Sequence, residues 1–163
     1  MQKPDPRPRL IIVCGLPGSR RTTLARALES RLGAIRFSAD DWLNALSLDL
    51  WDEDARAKTE ALQWTLGQQL LARGTSIIIE WGTRGRAERD VLRLCARALG
   101  AAVELRYLSA PADVLFDRIR RRGMDNPPIE REHVSRWLEI FQPPTPDEMA
   151  LFDEALATEL EQG

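Results

Sequence analysis

Residues 10–26 constrain this chain more than any other stretch. Leu10-Ile11-Ile12-Val13-Cys14 is an apolar run. Gly15-Leu16-Pro17-Gly18-Ser19-Arg20-Arg21-Thr22-Thr23 is a loop rich in turn formers, and Leu24-Ala25-Arg26 opens a helical pattern. A strand, a tight loop and a helix in direct succession is the setting in which backbone N–H groups cradle an anion. Against the phosphate-loop template G-x-x-x-x-G-K-[ST], Gly15 fills the first glycine and Thr22 the hydroxyl position. Arg20 stands where the second glycine belongs and Arg21 where the lysine belongs. The context agrees with the template, and two of its defining side chains do not.

The rest of the chain repeats the alternation. Residues 9–14 read as a strand buried on both faces. A helix follows from Arg21 to Leu32 and stops at Gly33. Ile35 to Ser38 is a second short strand, with Ser38, Asp40 or Asp41 available to cap the next helix. Residues 43–50 have no clear period. Asp52 to Arg73 reads as a long amphipathic helix whose apolar face carries Ala57, Ala61, Leu62, Leu66 and Leu70. Thr75 to Glu80, with Ile77-Ile78-Ile79 at its centre, is a third strand. A helix from Arg84 to Leu99 places Val91, Leu94, Cys95 and Ala98 on one face. Val103, Leu105 and Tyr107 alternate in a fourth strand, which predicts one less buried face. Pro111 starts a helix reaching Arg122, and Glu130 to Phe141 forms another with Val134, Trp137, Leu138 and Phe141 on a stripe. Asp147 to Leu160 is either a last helix or a partly ordered tail.

Strands alternating with helices predict an α/β fold with a parallel sheet and right-handed crossovers. Ligands of such sheets bind beyond the carboxyl ends of the strands. The 15–22 loop, Asp40 and Glu80 all fall there, which makes them one candidate site.

Composition narrows the function classes. The chain has 163 residues, 44% hydrophobic and 29% charged, which suits one globular domain. We expect a disordered lead over residues 1–9, a domain over 10–153 and a tail over 154–163. The lead lacks the apolar core of a secretory signal. No apolar run approaches a membrane span. A net charge of −2 gives no global case for nucleic-acid binding. The two cysteines, Cys14 and Cys95, read as reduced core residues of a cytoplasmic protein. The single histidine, His133, reads as a surface or capping residue, and the tryptophans as packing groups.

Several of these segments resemble a known family. Gly15-Leu16-Pro17-Gly18-Ser19 with Thr22-Thr23-Leu24-Ala25-Arg26 resembles the P-loop kinases related to polynucleotide kinase, chloramphenicol phosphotransferase and zeta-type toxins. Ser38-Ala39-Asp40-Asp41-Trp42 is similar to that group's aspartate motif. Glu80-Trp81-Gly82 with Arg86-Ala87-Glu88-Arg89 resembles a compact bacterial branch described as ATP-binding or AAA-like. Leu115 to Arg122 looks like its lid helix, and Phe141-Gln142-Pro143-Pro144 with Asp147-Glu148 like its C-terminal signature.

The resemblance implies a P-loop NTPase/kinase-like sheet flanked by helices, with a small helical lid. It implies ATP and Mg²⁺ as cofactors and phosphoryl transfer to a hydroxyl of a small-molecule or nucleotide-like acceptor. Gly15, Gly18, Ser19, Arg20, Arg21, Thr22 and Thr23 would then cradle phosphates, with Thr22 and Glu80 on the metal. Asp40 would be the general base, and Arg118 and Arg122, four apart on one helix face, would be lid arginines. Each position also has a plain structural reading: Asp40 or Asp41 as a helix cap, Glu80 in a salt bridge, the arginine run as a solvated face. Arg20 and Arg21 leave three outcomes for the loop. It binds phosphate through guanidinium groups, it binds nucleotide weakly without turnover, or it is closed, with the arginines turned outward or paired with Asp40, Asp41 or Glu80. The alternatives to an active kinase are a pseudokinase-like nucleotide-, phosphate- or partner-binding module, and a nucleic-acid end-modifying kinase. The last needs a basic groove near Arg84, Arg86 and Arg89.

Overall fold

The computed structural model describes residues 5–123, 125 and 127–156. The expected lead at 1–4 and tail from 157 lie outside them. Four strands, β1 (Arg9–Cys14), β2 (Ile35–Phe37), β3 (Ile77–Ile79) and β4 (Ala102–Tyr107), form one sheet in the order β2-β3-β1-β4. All three pairings are parallel; Leu10 is in register with Ile77 and with Val103.

The helices are α1 (Arg21–Leu32), α2 (Ala39–Ala45), α3 (Glu53–Ala72), α4 (Arg86–Ala98), α5 (Ala112–Arg122), α6 (Arg131–Ile140) and α7 (Pro146–Met149). Their ends follow local chemistry. Gly33 and Gly123 close α1 and α5 in left-handed conformations at φ 62° and 60°. Ser38 and Asp52 cap α2 and α3 with side-chain oxygens. His133 caps α6, its Nδ1 accepting the Glu130 N–H at 2.8 Å. No helix among the described residues is long and apolar enough to cross a membrane.

Two cores lie on the two sheet faces. On one, Ala25 and Leu28 of α1 pack on Ile11, Val13 and Ile78. On the other, Leu71 of α3 and Leu92 and Ala96 of α4 pack on Leu10, Ile12, Ile77, Ile79, Val103 and Leu105. The neighbouring strands β1 and β3 therefore send their chains to helices on opposite faces. That divergence opens a crevice at their carboxyl ends.

Four expectations about buried faces are corrected. On α3 the buried residues are Thr59, Gln63, Gly67 and Leu71, while Leu62 is 64% and Leu66 41% exposed. Gly67 brings the helix onto β3, where a Cβ would come 2.8 Å from Ile77 Cδ1. Gln63 enters the core because both ends of its amide are bonded, Nε2 to Ser38 O at 3.0 Å and Oε1 to Trp81 Nε1–H at 2.7 Å. On α4 the inward residues are Arg89, Leu92 and Ala96; Val91 and Leu94 are 57% and 58% exposed, Ala98 is exposed and Cys95 is half-buried. Leu138 of α6 is exposed as well. On β4, residues Ala102 to Leu105 are all buried, the polar Glu104 included. Glu104 accepts from Arg9 at 2.6 Å and from the Leu156 N–H at 2.9 Å. Residues 150–156 run back beside β4 instead of extending α7, with the Asp153 N–H donating to Val103 O at 2.8 Å.

Candidate functional site

The loop after β1 is wrapped tightly. A Cβ on Gly15 would come 2.5 Å from Ser19 Oγ and 2.6 Å from Leu108 O. Gly18 sits at φ +85°, where a Cβ would meet Leu115 O of α5 at 2.6 Å. Arg20 holds φ 71° and ψ 32°, the left-handed conformation that the template reserves for glycine. A non-glycine residue in that conformation carries a strain of about 1–2 kcal/mol. Ser19 Oγ is buried beneath the loop without a hydrogen-bond partner.

Arg20 points to solvent and Arg21 turns inward. Arg21 donates from one guanidinium nitrogen to the Glu80 carbonyl at 3.1 Å. Burial weakens its hold on its proton, and the charges of Asp40 and Glu80 oppose that shift. Thr22 Oγ1 donates to Glu80 Oε1 at 2.9 Å, so the hydroxyl of the loop meets the carboxylate at the end of β3. Glu80 Oε2 lies 3.2 Å from Arg36 Nη1, out of hydrogen-bond alignment and out of contact with solvent. Arg36 also pairs with Asp41. Neither Asp40, Asp41 nor Glu80 is ion-paired to the loop arginines; the carboxylates are taken by Arg56 and Arg36 instead. Asp41 is not the cap of α2, since Ser38 Oγ accepts its N–H at 3.2 Å.

Among the described residues no three His, Cys, Asp or Glu side chains gather at a metal-binding distance. A Mg²⁺ held chiefly by phosphates needs only one or two protein oxygens. Thr22 Oγ1 and Glu80 Oε1, adjacent at the mouth of the cradle, are chemically suited to supply them.

A cavity of about 780 Å³ runs from the loop across the strand ends. Arg20, Arg21, Thr22, Thr23, Arg118 and Arg122 line its loop end. Asp40, whose charge acts on Arg21, lines it as well, as do Arg56, Glu60, Arg84, Glu88 and Trp137. Asp40 Oδ1 is 2.7 Å from Arg56 Nη1, and Arg56 is itself tied to Leu50 O at 2.9 Å. Burial, and secondly the charge of Glu88, pushes the Glu60 carboxyl up to about 7. Arg84 lies over the Trp137 ring at 5.7 Å. Trp81 lines the same wall but packs inward, bonded to Gln63.

The arginines of α5 differ in their partners. Arg118 donates to Gly18 O at 3.1 Å, fastening α5 to the loop. Arg122 reaches Asp125 at 3.1 Å and also faces the cavity. Arg121 pairs away from it with Asp117.

Four contributors escaped sequence reasoning. Arg36 and Arg56 hold Glu80 and Asp40 from elements whose alignment only the fold creates. Arg89 is buried against Glu148 and donates to Thr83 O and Gln142 O, each at 2.7 Å, so it holds the loop after β3 in place. The only sequence signal was that Arg89 and Glu148 both fall in the segments carrying the family resemblance. The basic groove postulated at Arg84, Arg86 and Arg89 does not form: Arg89 is buried, and Arg86 pairs with Asp90 and Glu148.

Comparison with known proteins identifies the family and the fold. A family model described as an AAA domain matches residues 10–144. No curated protein sequence matches the chain. A crystal structure of a candidate kinase from Chloroflexus aurantiacus is 25% identical, with a TM-score of 0.68 over 85% of this chain and 83% of that one. A gluconokinase from Sinorhizobium meliloti is 19% identical, with a TM-score of 0.59 over 87% and 78%. Kti12 from Chaetomium thermophilum, solved with ADP-AlF₃, is 20% identical, with a TM-score of 0.62 over 85% and 82%. The fold is that of P-loop kinases.

Proposed function

The chain belongs to the AAA-domain family, and from that premise we propose that it is an ATP-dependent phosphotransferase acting on a hydroxyl of a small-molecule or nucleotide-like acceptor. The observation that carries this reading is the bond between Thr22 Oγ1 and Glu80 Oε1, at the head of a cavity that also holds Asp40, Arg118 and Arg122. A loop hydroxyl against a strand-end carboxylate is the pairing that phosphoryl transfer uses beside its metal. The gluconokinase neighbour supports the reaction class, and the ADP-AlF₃ complex of Kti12 supports nucleotide binding.

In this reading the N–H groups around Gly15 and Gly18, the start of α1 and the Arg21 guanidinium hold the β- and γ-phosphates. Asp40 takes the proton of the acceptor hydroxyl as the hydroxyl oxygen bonds to the γ-phosphorus and the bond from that phosphorus to the β-γ bridging oxygen breaks. Arg56 fixes the orientation of Asp40. Arg118 and Arg122 stabilise charge on the transferred group. Mg²⁺ bound at Thr22 and Glu80 would neutralise charge on the phosphates. The wall with Glu60, Arg84 and Glu88 beside Trp137 is where acceptor choice is made.

The test is release of ADP from ATP across a panel of polyhydroxylated acceptors, for the natural chain and for Asp40→Asn. Turnover should fall by about a hundredfold or more in the variant while nucleotide affinity is kept. Equal turnover in the two proteins removes Asp40 from the mechanism. Nucleotide binding with no turnover on any acceptor favours the pseudokinase-like alternative.

A further inference from the structure

Resting on the phosphotransferase reading, we propose that the acceptor carries an anionic group, a carboxylate or a phosphate, besides the hydroxyl that is phosphorylated, and that Arg84 is the residue that reads it. Arg84 is half-buried and lines the cavity. Its guanidinium lies over the Trp137 ring at 5.7 Å. Gly82 leaves the side chain room to fold back, since a Cβ there would come 3.3 Å from Arg84 Nε. Among the described residues no carboxylate pairs with this guanidinium and no oxygen accepts from it. Glu53, Glu60 and Glu88 act on it only through space. A planar fork stacked on an aromatic face keeps its N–H edge for a ligand, and that edge matches the paired oxygens of a carboxylate or phosphate. Burial disfavours the Arg84 charge, and the charge of Arg56 adds to that. An anion on the acceptor would supply the missing counter-charge.

The backbone on both sides of Arg84 is fixed. Thr83, just before it, is buried at φ 41°, where a β-branched residue is an outlier. Thr83 O accepts from the buried Arg89 at 2.7 Å, and Arg84 O accepts the Gln142 N–H at 2.8 Å. The contacts of Arg89 and Gln142 thus impose a strained turn that sets where Arg84 projects. Strain of this kind persists where the surroundings over-determine it, as at ligand clamps. The neighbouring charges favour an anion at the same place. Arg21, Arg56 and Arg84 all act on the Glu60 carboxyl, and burial nonetheless raises it to about 7. Burial raises Glu88 as well. Carboxyls that resist ionisation leave the guanidinium charge uncompensated, and a protonated carboxyl also donates to an anion. Arg56 is taken by Asp40 and Arg21 by the Glu80 carbonyl, so Arg84 is the fork left open to the acceptor.

Steady-state ADP release, with saturating ATP and Mg²⁺, tests the proposal on acceptors arranged in sets that share their hydroxyls and differ in charge. Ribitol, ribonate, ribitol phosphate and aminodeoxyribitol make one set; a hexitol and a nucleoside supply others. The anionic member should exceed the neutral one by about thirtyfold or more in kcat/KM, chiefly through KM. Whether the carboxylate or the phosphate member leads identifies the anion. Arg84→Met keeps the contact with Trp137 and removes the charge. It should raise KM for the anionic acceptor by about tenfold or more, with kcat within about twofold, and affect the neutral acceptor far less. Arg84→Lys should restore part of the preference. The thermal midpoint should be kept in both variants, because the guanidinium holds no other group. A neutral or cationic acceptor used as well as the anionic one overturns the proposal and leaves the phosphotransferase reading standing. An Arg84→Met defect equal for charged and neutral acceptors also overturns it, since Arg84 then only shapes the wall. Turnover on no member of any set overturns the phosphotransferase reading and this proposal with it.

Discussion

The Arg89 guanidinium lies 3.0 Å from the Glu148 carboxylate, and neither side chain reaches solvent. The pair joins α4 to α7, and the other nitrogens of Arg89 hold the carbonyls of Thr83 and Gln142. One buried cation thus fastens the C-terminal segment to the loop that leaves β3 toward the cavity. Gln142 completes the seam, accepting the Arg86 N–H at its side chain and donating its own N–H to Arg84 O, both at 2.8 Å.

Removing one partner of this pair leaves the other charged and dry. Glu148→Gln and Arg89→Met should each cost about 3–5 kcal/mol in denaturant unfolding. A loss under about 1 kcal/mol in both would show that water reaches the pair in solution.

The left-handed Arg20 makes the opposite forecast. Arg20→Gly relieves strain of about 1–2 kcal/mol and gives back part of it through the freer unfolded chain. A net gain of about 0.5–1 kcal/mol should appear as a higher denaturation midpoint with an unchanged slope. A lower midpoint would mean that the loop is not held left-handed at this residue.

Glu60 gives stability a pH dependence of known sign. Its carboxyl is raised from 4.5 to about 7, by burial first and by Glu88 second. Between those two values the native chain holds a proton that the unfolded chain has released. The stabilisation is therefore complete below 4.5 and is lost as pH rises through 7. Glu88, raised in the same direction, adds to the trend. Glu60→Gln should match the natural chain in acid and exceed it above neutrality, read as thermal midpoints across the range. A constant difference at every pH would remove Glu60 as the source.

Gln63 joins the loops that follow β2 and β3, through Ser38 O and Trp81 Nε1. Gln63→Leu keeps the volume and strands both partners, at a cost of about 1–3 kcal/mol each. Because Ser38 caps the helix carrying Asp40, and Trp81 follows Glu80, this variant should also weaken ATP affinity. Lost stability with unchanged ATP affinity would confine Gln63 to the core.

Much of the fold was legible because it is written in short-range chemistry. Glycines that can take a positive φ mark where α1 and α5 stop, Ser38 and Asp52 mark where α2 and α3 start, and apolar runs mark β1 and β3. The buried faces of α3 and α4 were misread because pattern reading treats a polar side chain as outward. Gln63 and Arg89 point inward since each meets a partner that satisfies it, at Ser38 and Trp81 for one and at Glu148 for the other.

The amino-acid order alone determined the strand–loop–helix frame and the placing of Thr22, Asp40 and Glu80 at strand ends, because backbone preference and period act over a few residues. Only the tertiary structure decided what those side chains do. It put Thr22 on Glu80, Arg36 behind Glu80, Arg56 on Asp40 and Arg118 on the loop, and it left Arg20 and Arg21 unpaired with the site's carboxylates. The physical reason is that Coulomb and hydrogen-bond partners are chosen by distance in space, and the partners of Glu80 and Gly18 lie tens of residues away along the chain.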